Sequence, residues 1–188
     1  MKKAITIIAA LLIAMAAYPQ EQELSKREKK KLEKELRKEQ AAKEGEMKAQ
    51  VVALMVEYQR FVLEADMLRG KTGDQVQVSS NLNFIASDSI TGVIQIGQNA
   101  YVGLNGVGGI TVEGPVSNYK YTVNEKNGVF NVSYNLRSTT GTYDIRMTIF
   151  PDGRADATVS SNWPGQLNYA GYLVPLAQSR VYKGSTTF

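Results

Sequence analysis

The chain holds 188 residues, with 22 Lys and Arg against 18 Asp and Glu and with neither cysteine nor histidine. Those two absences exclude disulfides, thiolate and imidazole metal sites, thiol nucleophiles and any Ser-His-Asp triad. The formal charge of +4 lies wholly in residues 1–49, because residues 50–188 carry ten basic and ten acidic side chains; that balanced region has no basic field for a phosphate backbone, and no nucleic-acid partner is expected.

Met1-Lys2-Lys3 is a short basic start, residues 4–17 are apolar except Thr6, and Ala14-Met15-Ala16 is a small-x-small cleavage pattern. Together they predict a secretory signal peptide over residues 1–16. The run falls short of the roughly 20 apolar residues that span a bilayer. No cysteine follows it to take a lipid. The expected product is periplasmic or secreted, is not a lipoprotein, and has no transmembrane segment after cleavage.

Residues 17–45 read as a charged helical spacer of strong helix formers. Ser25 and Glu28 fit a capping box. Glu23→Arg27, Glu33→Arg37, Glu39→Lys43 and Glu44→Lys48 are favourable i,i+4 pairs. Leu24, Leu32 and Leu36 do not recur as coiled-coil heptads. Mixed charge without an apolar stripe suits a solvated helix, with peripheral contact to an envelope surface as the sharper alternative. After Gly45 the pattern changes. Val51, Val52, Leu54, Met55, Tyr58, Phe61 and Val62 recur at spacings of three and four, which predicts an amphipathic helix over residues 46–59 that packs on a β domain formed by residues 60–188.

From Arg60 the period becomes two. Phe61, Leu63 and Ala65 share one strand face. Val76, Val78, Leu82 and Phe84 share another, followed by Ile94 and Ile96, then by Ile110 and Val112. Tyr119, Tyr121 and Val123 belong to a later strand. Asn127-Gly128, Thr140-Gly141 and Pro151-Asp152-Gly153 are turns between alternating runs. Eight or nine strands with short turns predict a mainly β fold. The expected form is an antiparallel meander closing into a lipocalin-like or half-open barrel, with a two-sheet sandwich as the alternative. Gly92, Gly97 and Gly171 mark bends within strands.

Few residues offer chemistry. Glu64 and Asp66 lie about 7 Å apart on one strand face, a spacing at which a carboxylate pair could serve an acid-dependent hydrolase, though solvated acids are the plainer reading. Asp144, Arg146, Arg154 and Asp156 read as a cross-strand ion-pair ladder. Asp74, Asp88 and Asp152 lack calcium-loop spacing, so no metal is expected. Residues 97–109 hold five glycines but no phosphate-loop lysine; a lid over a barrel mouth is the functional reading. Trp163, in a loop beside Pro164, could stack on a sugar or anchor a partner.

Several stretches carry a likeness: Phe61-Val62-Leu63-Glu64-Ala65-Asp66, Ser80-Asn81-Leu82-Asn83-Phe84, and Gly108-Gly109-Ile110 with Glu113-Gly114-Pro115. Tyr143-Asp144-Ile145 and Leu167-Asn168-Tyr169-Ala170-Gly171 add to it. From about Phe61 to Gly171 the chain resembles the domain-of-unknown-function 4251 family of exported proteins of gut-type Gram-negative bacteria. One departure is Trp163-Pro164, where the family pattern suggests a basic residue. The resemblance implies export and a β-rich fold and brings no catalytic residue with it. The expectation is a non-enzymatic exported domain without cofactor, binding a small apolar or glycan ligand or an envelope protein. Tyr101, Gly106, Gly108, Gly109 and Trp163 are the candidate ligand residues. A structural or interaction protein positioned by its charged helix is the alternative.

Overall fold

The computed structural model describes residues 25–98, 103–161 and 165–187; the signal segment, Tyr101 and Trp163 lie outside them. The chain has two units, divided at Ala41/Ala42, and one helix, α1 (Lys26–Glu57), holds that boundary and continues through Gly45. The expected capping box is formed. The Glu28 N–H donates to Ser25 Oγ at 3.3 Å and the Ser25 N–H to Glu28 Oε2 at 2.9 Å. These bonds hold the Glu28 carboxyl below its usual range. In the first unit every described residue up to Ala41 is exposed.

In the second unit α1 carries two apolar stripes rather than the single face expected. Val52, Met55 and Val56 are buried, while Met47, Val51, Leu54 and Tyr58 stay exposed. The helix stops where Gln59 takes a left-handed conformation, φ 56°, which turns the chain directly into a strand.

Nine strands follow: β1 (Arg60–Gly70), β2 (Gln75–Gln77), β3 (Phe84–Asp88), β4 (Thr91–Ile96), β5 (Ile110–Asn124), β6 (Val129–Ser138), β7 (Gly141–Ile149), β8 (Arg154–Ser161) and β9 (Gln166–Pro175). All pairings are antiparallel, and β9 returns to β1, closing an eight-stranded barrel with β2 as an extra strand. β1 makes this possible by its length. Its first half pairs with β3, its second half with β2, and its other edge runs along β9 throughout. The barrel is thus closed, and neither a half-open form nor a sandwich applies.

Three strand expectations are revised. Val76 belongs to β2, and Val78 and Leu82 lie in the connection before β3, so these residues do not share a face with Phe84. Tyr119, Tyr121 and Val123 continue β5, which runs from Ile110 through a bulge between Ser117 and Lys120, where Asn118 takes φ 55°. The β5–β6 turn is a four-residue loop in which Gly128 alone has positive φ.

Inward residues of alternating strands fill the barrel: Phe61, Leu63, Ile85, Leu136, Ile145, Ile149 and Tyr169 are essentially inaccessible. A barrel of this size has room for side chains rather than an internal channel. Val52, Met55 and Val56 join the same core, so α1 closes the end where β1 begins. There the Tyr119 hydroxyl donates to the Val56 carbonyl at 2.8 Å. Gly171 stands opposite Ala65 at the β1 bulge, and a Cβ there would collide with the Glu64 carbonyl oxygen.

The outer face of β1, β3 and β4 is not polar as strand alternation suggested. Val62, Phe84 and Ala86 are buried there with Val93, Leu176 and Val181, because residues 176–187 run back as a strap over these strands. The strap is tied at Tyr182 N to Asn81 O, Ser185 N to Asn105 O and Thr187 N to Thr111 O. Gln95, buried beneath it, uses its whole amide. Nε2 donates to Leu82 O at 3.0 Å and Tyr182 O at 2.9 Å, and Oε1 accepts from Thr111 Oγ1 at 2.9 Å and Gly184 N at 2.8 Å.

Candidate binding mouth

The end opposite α1 is built from the C-terminal ends of β1 and β4, the starts of β5 and β9, and β2 beside them. Its floor is the packed core, with Tyr169 fully buried beneath. Over it lies an apolar cavity of ≈ 730 Å³, with Leu68, Val76, Val78, Ile96, Ile110 and Leu167 among its lining residues. A second lobe of ≈ 320 Å³ shares Ile96, Ile110 and Leu167 and reaches Tyr143, Val159 and Tyr169. Few polar side chains face these lobes: Asp74, Asn83 and Gln98 in one, Ser160, Ser161 and Gln166 in the other. A concave apolar volume with a few convergent polar groups is the usual form of a small-ligand site.

The described part of the glycine segment borders this mouth. Gly97, Gly103, Gly108 and Gly109 line the larger lobe together with Leu104, which is 79% exposed at the lip. Gly106 does not line it, and open space surrounds its would-be Cβ. Gly109 lies so close to β4 that a Cβ would meet the Ile96 carbonyl oxygen. The anchor of the segment is Asn105, which the sequence reading missed. Fully buried, it donates from Nδ2 to Thr111 Oγ1 at 3.1 Å and Ile96 O at 3.3 Å. Its Oδ1 accepts from Gly109 N at 2.9 Å and Val107 N at 3.0 Å. Of the five candidate ligand residues, then, Gly108 and Gly109 are at the mouth and Gly106 is not, while Tyr101 and Trp163 are outside the described residues. The strand-end apolar residues that make most of the wall carry no local signal beyond their alternation.

The charged constellations resolve differently. The Glu64 carboxylate accepts from Ser179 Oγ at 2.7 Å and the Arg180 N–H at 3.3 Å, so it fastens the start of the strap instead of facing solvent beside Asp66. The expected ladder is not formed. Arg154 pairs with Asp152 in its own turn at 2.7 Å, Asp144 accepts from Asn135, and across the β7–β8 register Arg146 faces Thr158 while Asp156 faces Thr148. Asp74 accepts from Thr72, and Asp88 from the Ile90 and Thr91 N–H groups. Among the described residues no three acidic side chains converge as a metal site requires. Among them, too, no helix is long and apolar enough to cross a membrane.

A closed eight-stranded antiparallel barrel, plugged at one end by a helix and cupped at the other, is the class these features define. The family model for DUF4251, a domain of unknown function, matches residues 42–173, and the chain belongs to that family. The match takes in the second half of α1, beyond the β domain to which the sequence likeness was confined. A crystal structure of a DUF4251 family protein from Bacteroides eggerthii DSM 20697 is similar, with a TM-score of 0.60 and 31% identity over 71% of this chain and 91% of that one. No curated protein matches.

Proposed function

We propose that this chain is an exported, non-enzymatic binding module whose barrel mouth holds a small apolar ligand. The observation that carries the reading is the ≈ 730 Å³ apolar cavity above a closed core. Burying ligand surface against Leu68, Ile96 and Leu167 would supply roughly 25 cal/mol for each Å² removed from water. The glycine segment, fixed by Asn105, forms a wall with little side-chain bulk. Export rests on the basic, apolar and small-residue order of residues 1–16. A non-catalytic role is supported by the missing histidine and cysteine and by the engagement of Glu64 with the strap.

The test is binding of Nile red, an uncharged apolar dye, to the full chain. A saturable fluorescence rise is expected, abolished in Leu167→Trp, which fills the cavity, and retained in Tyr172→Ala, outside the mouth. No saturable rise, or equal binding by the cavity-filled variant, would overturn the reading. A second reading, an interaction protein, is favoured by the exposed stripe Met47, Val51, Leu54 and Tyr58. Charged substitutions along that stripe should then abolish envelope association while leaving dye binding intact.

A further inference from the structure

We infer, building on the mouth-binding reading, that the mouth selects uncharged ligands and rejects carboxylates. Of the described segments that meet at this end, residues 97–98, 103–109, 138–143 and 165–167 contain no Asp, Glu, Lys or Arg. At the opposite end the turns carry Glu57, Arg60, Glu125, Lys126, Asp152 and Arg154. The charge at the mouth is therefore confined to the β1–β2 segment, which carries Arg69, Lys71 and Asp74.

Asp74 is the one formally charged side chain lining either lobe among the described residues, and its sign opposes an anion. Lys71, in the turn before it, is exposed and lines neither lobe.

Glycine-rich backbone often binds anions through free amides. Here four of those amides are spent. Val107 N and Gly109 N donate to Asn105 Oδ1, Gly97 N donates to Asn83 Oδ1, and Gln98 N donates to Val107 O. A carboxylate entering the cavity would be desolvated against a lining whose one charge among the described residues is that of Asp74, with these four N–H groups already engaged. A hydroxyl or amide loses far less and has Gln98, Gln166 and Ser160 within the lining to meet it.

The experiment is displacement of Nile red from the full chain by 1-decanol and by decanoate, at about pH 8, well above the carboxylate range. Decanol is expected to displace the dye at concentrations about tenfold or more below decanoate, the scale of one unpaired charge only partly shielded by water. Gln98→Lys places a cation at an exposed lining position. It should tighten decanoate binding by about tenfold and leave decanol within about twofold. Decanoate binding as tightly as decanol to the unaltered chain, or no gain for decanoate in Gln98→Lys, would overturn charge selection while leaving the mouth as a site. Displacement by neither compound would overturn the binding reading and this inference together.

Discussion

The side-chain oxygen of Gln95 accepts the Gly184 N–H at 2.8 Å although 89 positions separate the two residues in the chain. Gln95 points outward from β4, where strand alternation calls for solvent. Its amide is dry only because the strap covers it, and its four hydrogen bonds replace the water the strap excludes.

Gln95→Leu should cost about 3 kcal/mol, because it strands buried donors and acceptors on Leu82, Thr111, Tyr182 and Gly184 at roughly 1–3 kcal/mol for each poorly resolvated group. Truncation after Arg180 should cost a similar amount. The two changes together should cost less than their sum, since they remove one network. Urea denaturation of the three variants reads this directly, and full additivity would contradict it.

Burial pushes the phenols of Tyr119, Tyr134 and Tyr169 up. Such a raised group contributes stability that is complete below the unfolded phenol pKa of about 10 and is lost as pH climbs toward the folded value. Unfolding free energy should therefore fall above about pH 10, by up to about 1.4 kcal/mol per pH unit for each phenol. On the acid side the sign reverses. The hydrogen bond from Lys183, opposed by partial burial and aided by Thr186, holds the Glu113 carboxyl below its usual range. Its contribution is present above about pH 4.5 and fades as pH falls through the folded value, at well under about 1 kcal/mol because the pair is half exposed. Denaturation midpoints measured across pH should show a steep alkaline limb and a shallow acid one.

Two aromatic substitutions should part company. The Tyr119 hydroxyl donates to the last turn of α1, so Tyr119→Phe should cost about 1 kcal/mol. The Tyr134 hydroxyl is buried with no protein partner among the described residues. Tyr134→Phe should be neutral or stabilising by about 1 kcal/mol, since it removes a polar group that burial penalises. Thermal melts of both variants decide the point.

Glycine substitutions separate in the same way. Gly171→Ala forces a methyl group into the β1 backbone at the bulge and should cost about 3 kcal/mol or prevent barrel closure. Gly45→Ala meets nothing within 4 Å in the middle of α1 and should add about 0.5–1 kcal/mol of stability and some helical signal. Circular dichroism with thermal unfolding covers both.

The barrel was legible in strand periodicity because Phe61, Leu63, Ile145, Met147 and Ile149 alternate without interruption and the turns between their strands are short. Alternation fails where a second layer lies outside the sheet. Alternation groups Phe84 with Val76, Val78 and Leu82, and nothing local to Val62, Phe84 or Ala86 announces a cover about 90 or more positions away. The helix misled for a related reason. Val51 and Val52 are neighbours in sequence about 100° apart around α1, one exposed and one buried, and spacing does not say which stripe meets the core. At the mouth, glycine density pointed to Gly108 and Gly109, but Asn105 is a common loop residue until its four bonds are counted.

The three residues of β2 pair with β1 alone, so the sheet has a short free margin there. Sheet edges of that kind are where strange strands dock and fibrils start. That margin offers Gln75, Val76 and Gln77, too few for the six- or seven-residue stacks that seed a cross-β spine. At that margin the chain leaves little rim for its own copies to pair with.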